Sequence, residues 1–258
     1  MNRPDGRAAK GGPATVPSGL VNAVVDLVGT GPVLLGAYTI AELTAVDAIV
    51  DFLEARPAGE AIAEAVRSLA ARQLLVAGSG DRQVQVRGDL GIAVALQQRA
   101  RTVLDARATG TVPGEPWRIL MLPQPEPISL VIRIDALGVH ELGLYQTPDA
   151  LDRLASWLPA GELAERADES PDDLLAAAER SALVTVTRYS AEGSSEVAGA
   201  STDLVLARRG DRLHAFTRSD GADADGQARR TAGGEPSALV RRRLHGDSVR
   251  ETLARMLD

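Results

Sequence analysis

The stretches WRILML (117–122), ISLVIRID (128–135), HELGLYQ (140–146) and DALDRLASWL (149–158) decide the reading of this chain, because together they are three short β-type runs closed by an amphipathic helix. The same order recurs as LVTVTRY (183–189), DLVLARR (203–209), RLHAFTR (212–218) and SVRETLARML (248–257). Each strand-like run alternates or continues apolar residues over fewer than ten positions, the length of a strand. Each closing run has apolar residues three and four apart, as in Leu151, Leu154 and Leu158, which places them on one helix face. A repeated βββα order predicts an α+β fold with two related halves, each an antiparallel sheet with a closing helix. It points to a scaffold that presents surface.

Upstream lies a helical module with a small hairpin. Leu20, Val24, Leu27 and Val28 have helical spacing, and 33–40 is apolar and partly β-branched, as in a strand. Residues 41–55 carry Leu43, Val46, Ile49, Val50 and Leu53 on one stripe, with Thr39 and Glu42 spaced as a capping box at its start. A second stripe follows in Ile62, Val66, Leu69 and Leu74. Gly78-Ser79-Gly80-Asp81 then reads as the turn of a hairpin between 74–77 and 83–86. Asp89 is placed to cap a helix over 90–98, and 103–108 reads as one more strand.

The expected organisation is a disordered lead (1–19), a first half (20–159), a linker with a short helix (160–182) and a second half (183–258). The Gly-, Ser- and Glu-rich turn at 190–199 and the Gly-, Ala- and Asp-rich stretch at 219–236 are expected to be flexible loops, the second because it has almost no apolar anchor.

Composition narrows the function. The chain has 258 residues, 45% of them hydrophobic but only 3% aromatic, so it can bury a sizeable aliphatic core and has little from which to build a base-stacking platform. Its formal net charge of −7 disfavours a phosphate backbone as partner. The arginines at 229, 230, 241–243, 250 and 255 are the one candidate basic cluster for nucleic acid, and they read as a solvated helix face in a chain whose only lysine is Lys10. With no cysteine, disulfides and thiolate chemistry are excluded. The longest uncharged stretch, 27–41, is shorter than a membrane span, and a cytoplasmic location is expected.

Catalytic motifs are not visible. His140, His214 and His245 lack the spacing that puts two imidazoles on one face, so no metal site is expected. Gly29-Thr30-Gly31 has no third glycine, no serine sits in a GxSxG elbow, and no motif implies a cofactor. Asp149, Asp152, Asp172 and Asp173 stand at helix starts, where carboxylates meet the helix dipole favourably. The expectation is a protein that is not an enzyme.

Two binding readings stand. The run Val66-Arg67-Ser68-Leu69-Ala70-Ala71-Arg72-Gln73-Leu74-Leu75, followed after a turn by Gly88-Asp89-Leu90-Gly91-Ile92-Ala93-Val94-Ala95-Leu96, resembles a passage of the EspG family, cytosolic chaperones of actinobacterial type VII (ESX) secretion. The two sheet-and-helix units resemble that family's two related halves. The resemblance implies a non-catalytic chaperone or adaptor that binds a secreted helical protein, PE/PPE-like or WXG100-like, through sheet loops and adjoining helix surface. The loop that matches by position is Pro123, Gln124, Pro125, Glu126 and Pro127, expected to be a stiff exposed projection that loses little entropy on docking. The alternative is a winged-helix DNA-binding regulator with a C-terminal ligand-sensing or dimerisation region. It rests on helices preceding a hairpin, with Arg67, Arg72, Gln73, Arg82 and Arg87 as candidate phosphate contacts.

Overall fold

The first described element is a helix, α1 (Ser18–Gly29), entered through Pro17 and ended at Thr30–Gly31, and the chain then reverses into strand β1 (Val33–Thr39). The computed structural model describes residues 17–46, 57–77, 84–164, 169–192, 195–218 and 239–258. The expectations for 1–16, for the second half of the stripe at 41–55, for the hairpin turn with Arg82, and for 219–236 with Arg229 and Arg230 therefore lie outside the described residues. In α1 the buried side chains are Val21, Val24 and Val28, while Leu20 and Leu27 are exposed. Of the stripe Leu20, Val24, Leu27 and Val28, the two valines are thus buried, and Val21 joins them in place of the leucines.

Helix α2 (Ile40–Ala45) begins at the capping box read from sequence: the Glu42 amide donates to the Thr39 hydroxyl, and the Thr39 amide donates to the Glu42 carboxylate. The same carboxylate accepts from Ser68 at 2.8 Å and from Arg72 at 3.0 Å, both on or just after α3 (Gly59–Ala71). A buried charge needs several partners, and Glu42 has them. Strands β2 (Leu75–Ala77) and β3 (Val84–Val86) form the small hairpin. Helix α4 (Gly88–Arg99) is entered through Arg87, two residues earlier than expected. Asp89 lies in its first turn and makes no side-chain cap.

The remaining strands are β4 (Thr102–Thr109), β5 (Arg118–Pro123), β6 (Ile128–Ile134), β7 (Val139–Gln146), β8 (Glu162–Leu163), β9 (Arg180–Glu192), β10 (Ser195–Arg209), β11 (Arg212–Arg218) and β12 (Leu239–Arg241). Between and after them come α5 (Thr147–Trp157), with Pro148 in its first turn, α6 (Pro171–Ala176), capped by Ser170, a 3-10 turn (His245–Asp247), and α7 (Val249–Leu257). Within the stretch 190–199, expected as a loop, residues 190–192 and 195–199 instead belong to strands β9 and β10, whose ladder runs from Glu192↔Ser195 to Arg180↔Arg208 with a bulge before Ser201; 193–194 lie outside the described residues.

Mixed α+β architecture is what the sequence predicted, and the strands join edge to edge into one ten-stranded sheet in the order β1-β7-β6-β5-β4-β9-β10-β11-β12, with β8 also on β11. All pairings are antiparallel except β8 with β11. From the central β4–β9 ladder, β4 to β7 step outward on one side and β9 to β12 on the other, and a helix follows each set. The first set therefore contains one more strand, β4, than the run starting at residue 117 suggested.

Helices cover opposite faces unequally. Over one face, α1, α2, α3 and α4 pack on β1, β5, β6 and β7 through Val24, Leu43, Leu69, Leu90, Leu130 and Leu144. Under the other, α5 and α7 pack side by side on β4, β5, β9, β10 and β11 through Leu154, Leu253, Leu104, Val184 and Leu206. Arg250 of α7 donates to Asp152 of α5 at 2.7 Å across that pair. Each fully buried leucine stabilises the fold by about 1.5–3 kcal/mol.

Candidate functional site

The middle of the first face is where a covered and an open sheet surface can be told apart. Along β9, Ala182, Val184 and Val186 are buried against α5 and α7, whereas Leu183, Thr185 and Thr187 on the other side are only half-buried. A strand with one dry and one wetted face alternates in this way. Farther along β10 and β11, α6 closes the open face again through Leu174 against Val205, Ala207 and Phe216. What remains between the α1–α4 layer and α6 is a trough floored by β4, β9 and β10.

Register places its polar groups in a row. Asp105 of β4 is opposite Thr185 of β9, and Thr185 is opposite Asp203 of β10. The Thr185 hydroxyl donates to Asp203 at 2.8 Å, and Arg218 reaches the same carboxylate at 3.3 Å. On the other side Arg118, itself buried, donates to both Asp105 oxygens at 2.9 and 2.8 Å, and Arg107 donates to one of them at 3.2 Å. Fork-to-carboxylate geometry of this kind fixes side chains as well as neutralising them. The trough therefore offers ordered hydroxyl, carboxylate and guanidinium groups at its floor, and Leu183 at its edge packs against the α6 cluster.

The Pro123–Pro127 loop is less of a projection than expected. It is a tight β5–β6 connection in which the Gln124 amide donates to the Ile128 carbonyl and the Ile128 amide to that of Glu126. Gln124 is buried and donates to the Leu122 carbonyl, and Glu126 is paired with Arg99 of α4 at 2.7 Å. That hydrogen bond from Arg99 is the main reason the Glu126 carboxyl lies below its ordinary range. The Thr147 amide also donates to Pro127, which ties the loop to the start of α5. Only Pro125 and Pro127 are exposed, so the loop is a pinned corner.

The arginines singled out for nucleic acid are largely engaged. Arg67 pairs with Glu64 on α3, and Arg72 pairs with Glu42 while lying 5.0 Å from the centroid of the Tyr38 ring. Arg242 donates to the Asp203 carbonyl. Asp173 holds Ser170 at the start of α6, in keeping with a capping role for the acidic pair there.

The histidines stay apart, and His140 and His214 are both buried. Among the described residues no group of three metal-ligating side chains occurs, and no helix is long and apolar enough to cross a membrane. His140 Nδ1 donates to the Gly138 carbonyl at 2.9 Å, which leaves Nε2 buried without a partner. Burial pushes the His140 imidazole below its ordinary value, outweighing the Gly138 hydrogen bond, and burial lowers His214 as well.

These directions set a pH dependence. The unfolded chain takes up the histidine proton first as pH falls, so stability is full above about pH 6.5 and declines below it toward the lower folded values. Thermal denaturation between about pH 7 and pH 5, above the range where carboxylates titrate, is expected to show a falling midpoint. His140→Gln is expected to flatten that decline; an unchanged slope would remove His140 from the account.

Sequence alone did not reveal Asp105, Arg107, Arg118, Thr185, Asp203 and Arg218 as a group. The alternation in 182–187 signalled one polar strand face, but only register joins it to β4 and β10. No family model matches the chain, and no curated protein matches it at a significant level.

Proposed function

We propose that the protein is a non-catalytic chaperone or adaptor that binds a helical protein bound for secretion, in the cytoplasm, in the manner of the EspG-family chaperones of type VII secretion. The trough is the observation that carries this reading. Three strands spaced about 4.8 Å apart span about 10 Å between the outer two, close to the 10–12 Å diameter of one helix with its side chains. A helix laid there meets half-buried Thr185 and Thr187 along β9, with the ordered Asp105 and Asp203 on either side and Leu183, packed on the α6 cluster, at its edge. Helix-in-groove recognition uses such a mixture of an apolar contact and fixed polar partners. Because the floor is a sheet braced from behind by α5 and α7, docking costs little ordering entropy.

In this reading the two strand sets are related copies, β5, β6 and β7 with α5 answering to β9, β10 and β11 with α7. The trough then lies along their junction, and the corner at 123–127 stands beside it as a secondary contact through Pro125 and Pro127.

Purification of the tagged chain from its native host, followed by mass spectrometry, is expected to yield a stoichiometric complex with a small, helix-rich protein that the host exports. Co-expression is expected to keep that partner soluble. Recovery of nucleic acid alone, with no exported polypeptide, would favour the regulator reading and overturn this one.

A further inference from the structure

A cavity of about 200 Å³ lies on the opposite face of the sheet from the trough, under α5. Its floor is Ile119 and Met121 of β5 with Val131 of β6, and its walls include Tyr145 of β7 and Trp157 at the end of α5. The Trp157 wall is set in place by its surroundings. Its indole N–H donates to the Pro116 carbonyl at 3.1 Å, and its own carbonyl accepts from Arg180 at 2.7 Å. Arg180 is held in turn by Glu115 at 2.8 Å. A pocket whose walls are fastened before a ligand arrives needs little reorganisation to bind one.

Charge at the rim is unequal. Arg133 also lines the cavity, but its guanidinium is paired with Glu141 at 2.8 Å. Arg153 lies over the Tyr145 ring, 5.1 Å from its centroid, and among the described residues it is paired with no carboxylate. The cavity therefore joins an apolar, aromatic-walled interior to one uncompensated cation. Its volume exceeds the roughly 150 Å³ that admits benzene and is smaller than the roughly 300 Å³ at which drug-sized sites begin. A body of about ten non-hydrogen atoms matches that range.

We propose that this cavity binds a small amphipathic carboxylate, an aryl or short-chain aliphatic acid. The apolar body lies on Ile119, Met121 and Val131 between Tyr145 and Trp157, and the carboxylate meets Arg153. The site is on the other face from the trough and does not depend on the chaperone reading.

The test titrates the full chain with 4-phenylbutyrate and with octanoate, following the Trp157 indole N–H resonance, assigned with Trp157→Phe, and the heat of binding. The neutral amide of 4-phenylbutyrate serves as the uncharged control. Saturable one-to-one binding is expected, with the amide weaker by on the order of tenfold, as the loss of one charge-assisted contact implies. Arg153→Gln is expected to weaken the acids by a similar factor and to erase the difference between acid and amide, and Arg153→Glu to weaken the acids further. Arg153 is exposed, so both variants are expected to keep the parent thermal midpoint. Equal binding of acid and amide, full acid binding by Arg153→Gln, or no saturable shift at millimolar acid would each overturn the proposal.

Discussion

Gly110→Ala is expected to destabilise the protein by on the order of 3 kcal/mol, the combined cost of a left-handed backbone and a backbone clash. Gly110 follows the last residue of β4 with φ at 68°, a region that costs an L-residue about 1–2 kcal/mol. A Cβ there would overlap the Glu179 carbonyl oxygen and come within 3.1 Å of the Arg180 Cα. Both are backbone atoms at the entrance to β9, so no side chain can swing away to make room. Relief requires shifting the end of the β4–β9 ladder, where Thr109 is opposite Ser181, and that ladder is the seam between the two strand sets.

Gly114 provides the control. It lies in the same connection with φ at 88°, and an added Cβ meets nothing within 4 Å. Gly114→Ala should therefore show only the conformational part of the cost. For a chain of this size each kcal/mol corresponds to about 2–4 °C, so Gly110→Ala is expected to lower the thermal midpoint by about 6–12 °C. Denaturant unfolding of the two variants side by side measures the difference. Equal stabilities would mean that the close approach at the seam carries no energy.

What could be read in advance followed from how local each signal is. The strand pattern in 128–135 and the Thr39–Glu42 capping box are written within a few residues, and both appear in the fold where expected. Asp89 misled because Arg87, with an extended backbone, enters α4 earlier and leaves the aspartate inside the first turn. The stretch 190–199 misled in the opposite direction. Its Gly- and Ser-rich composition suggests a loop, yet Ser190 to Glu192 pair with Ser195 to Val197 as strand residues. Pro123 is tolerated because it ends β5 at the corner, opposite Ser129. The trough was not legible, since the Asp105–Thr185–Asp203 row joins residues 80 and 18 positions apart, and no local pattern encodes a register between them.

Thr187→Trp is expected to abolish uptake of the proposed helical partner, weakening it by at least about a hundredfold, while leaving the fold intact. Thr187 stands on the half-buried face of β9, opposite Val103 of β4 and Ser201 of β10. Tryptophan is well accommodated on a pleated, half-buried surface, so stability should stay within about 1 kcal/mol of the parent. An indole raised from a floor of three strands, whose outer two are about 10 Å apart, takes the volume that a helix would occupy. Thr187→Val keeps the shape and loses only the hydroxyl, so it should bind nearly as well as the parent. Binding by both variants is read by isothermal titration with the purified partner, and folding by thermal unfolding. If Thr187→Trp unfolds as the parent does and still binds at parental strength, the partner docks elsewhere, and the pinned corner at Pro125 and Pro127 becomes the next surface to alter. If binding is lost only with the tryptophan, steric filling of the sheet face is the cause, and the open middle of the sheet is the docking surface.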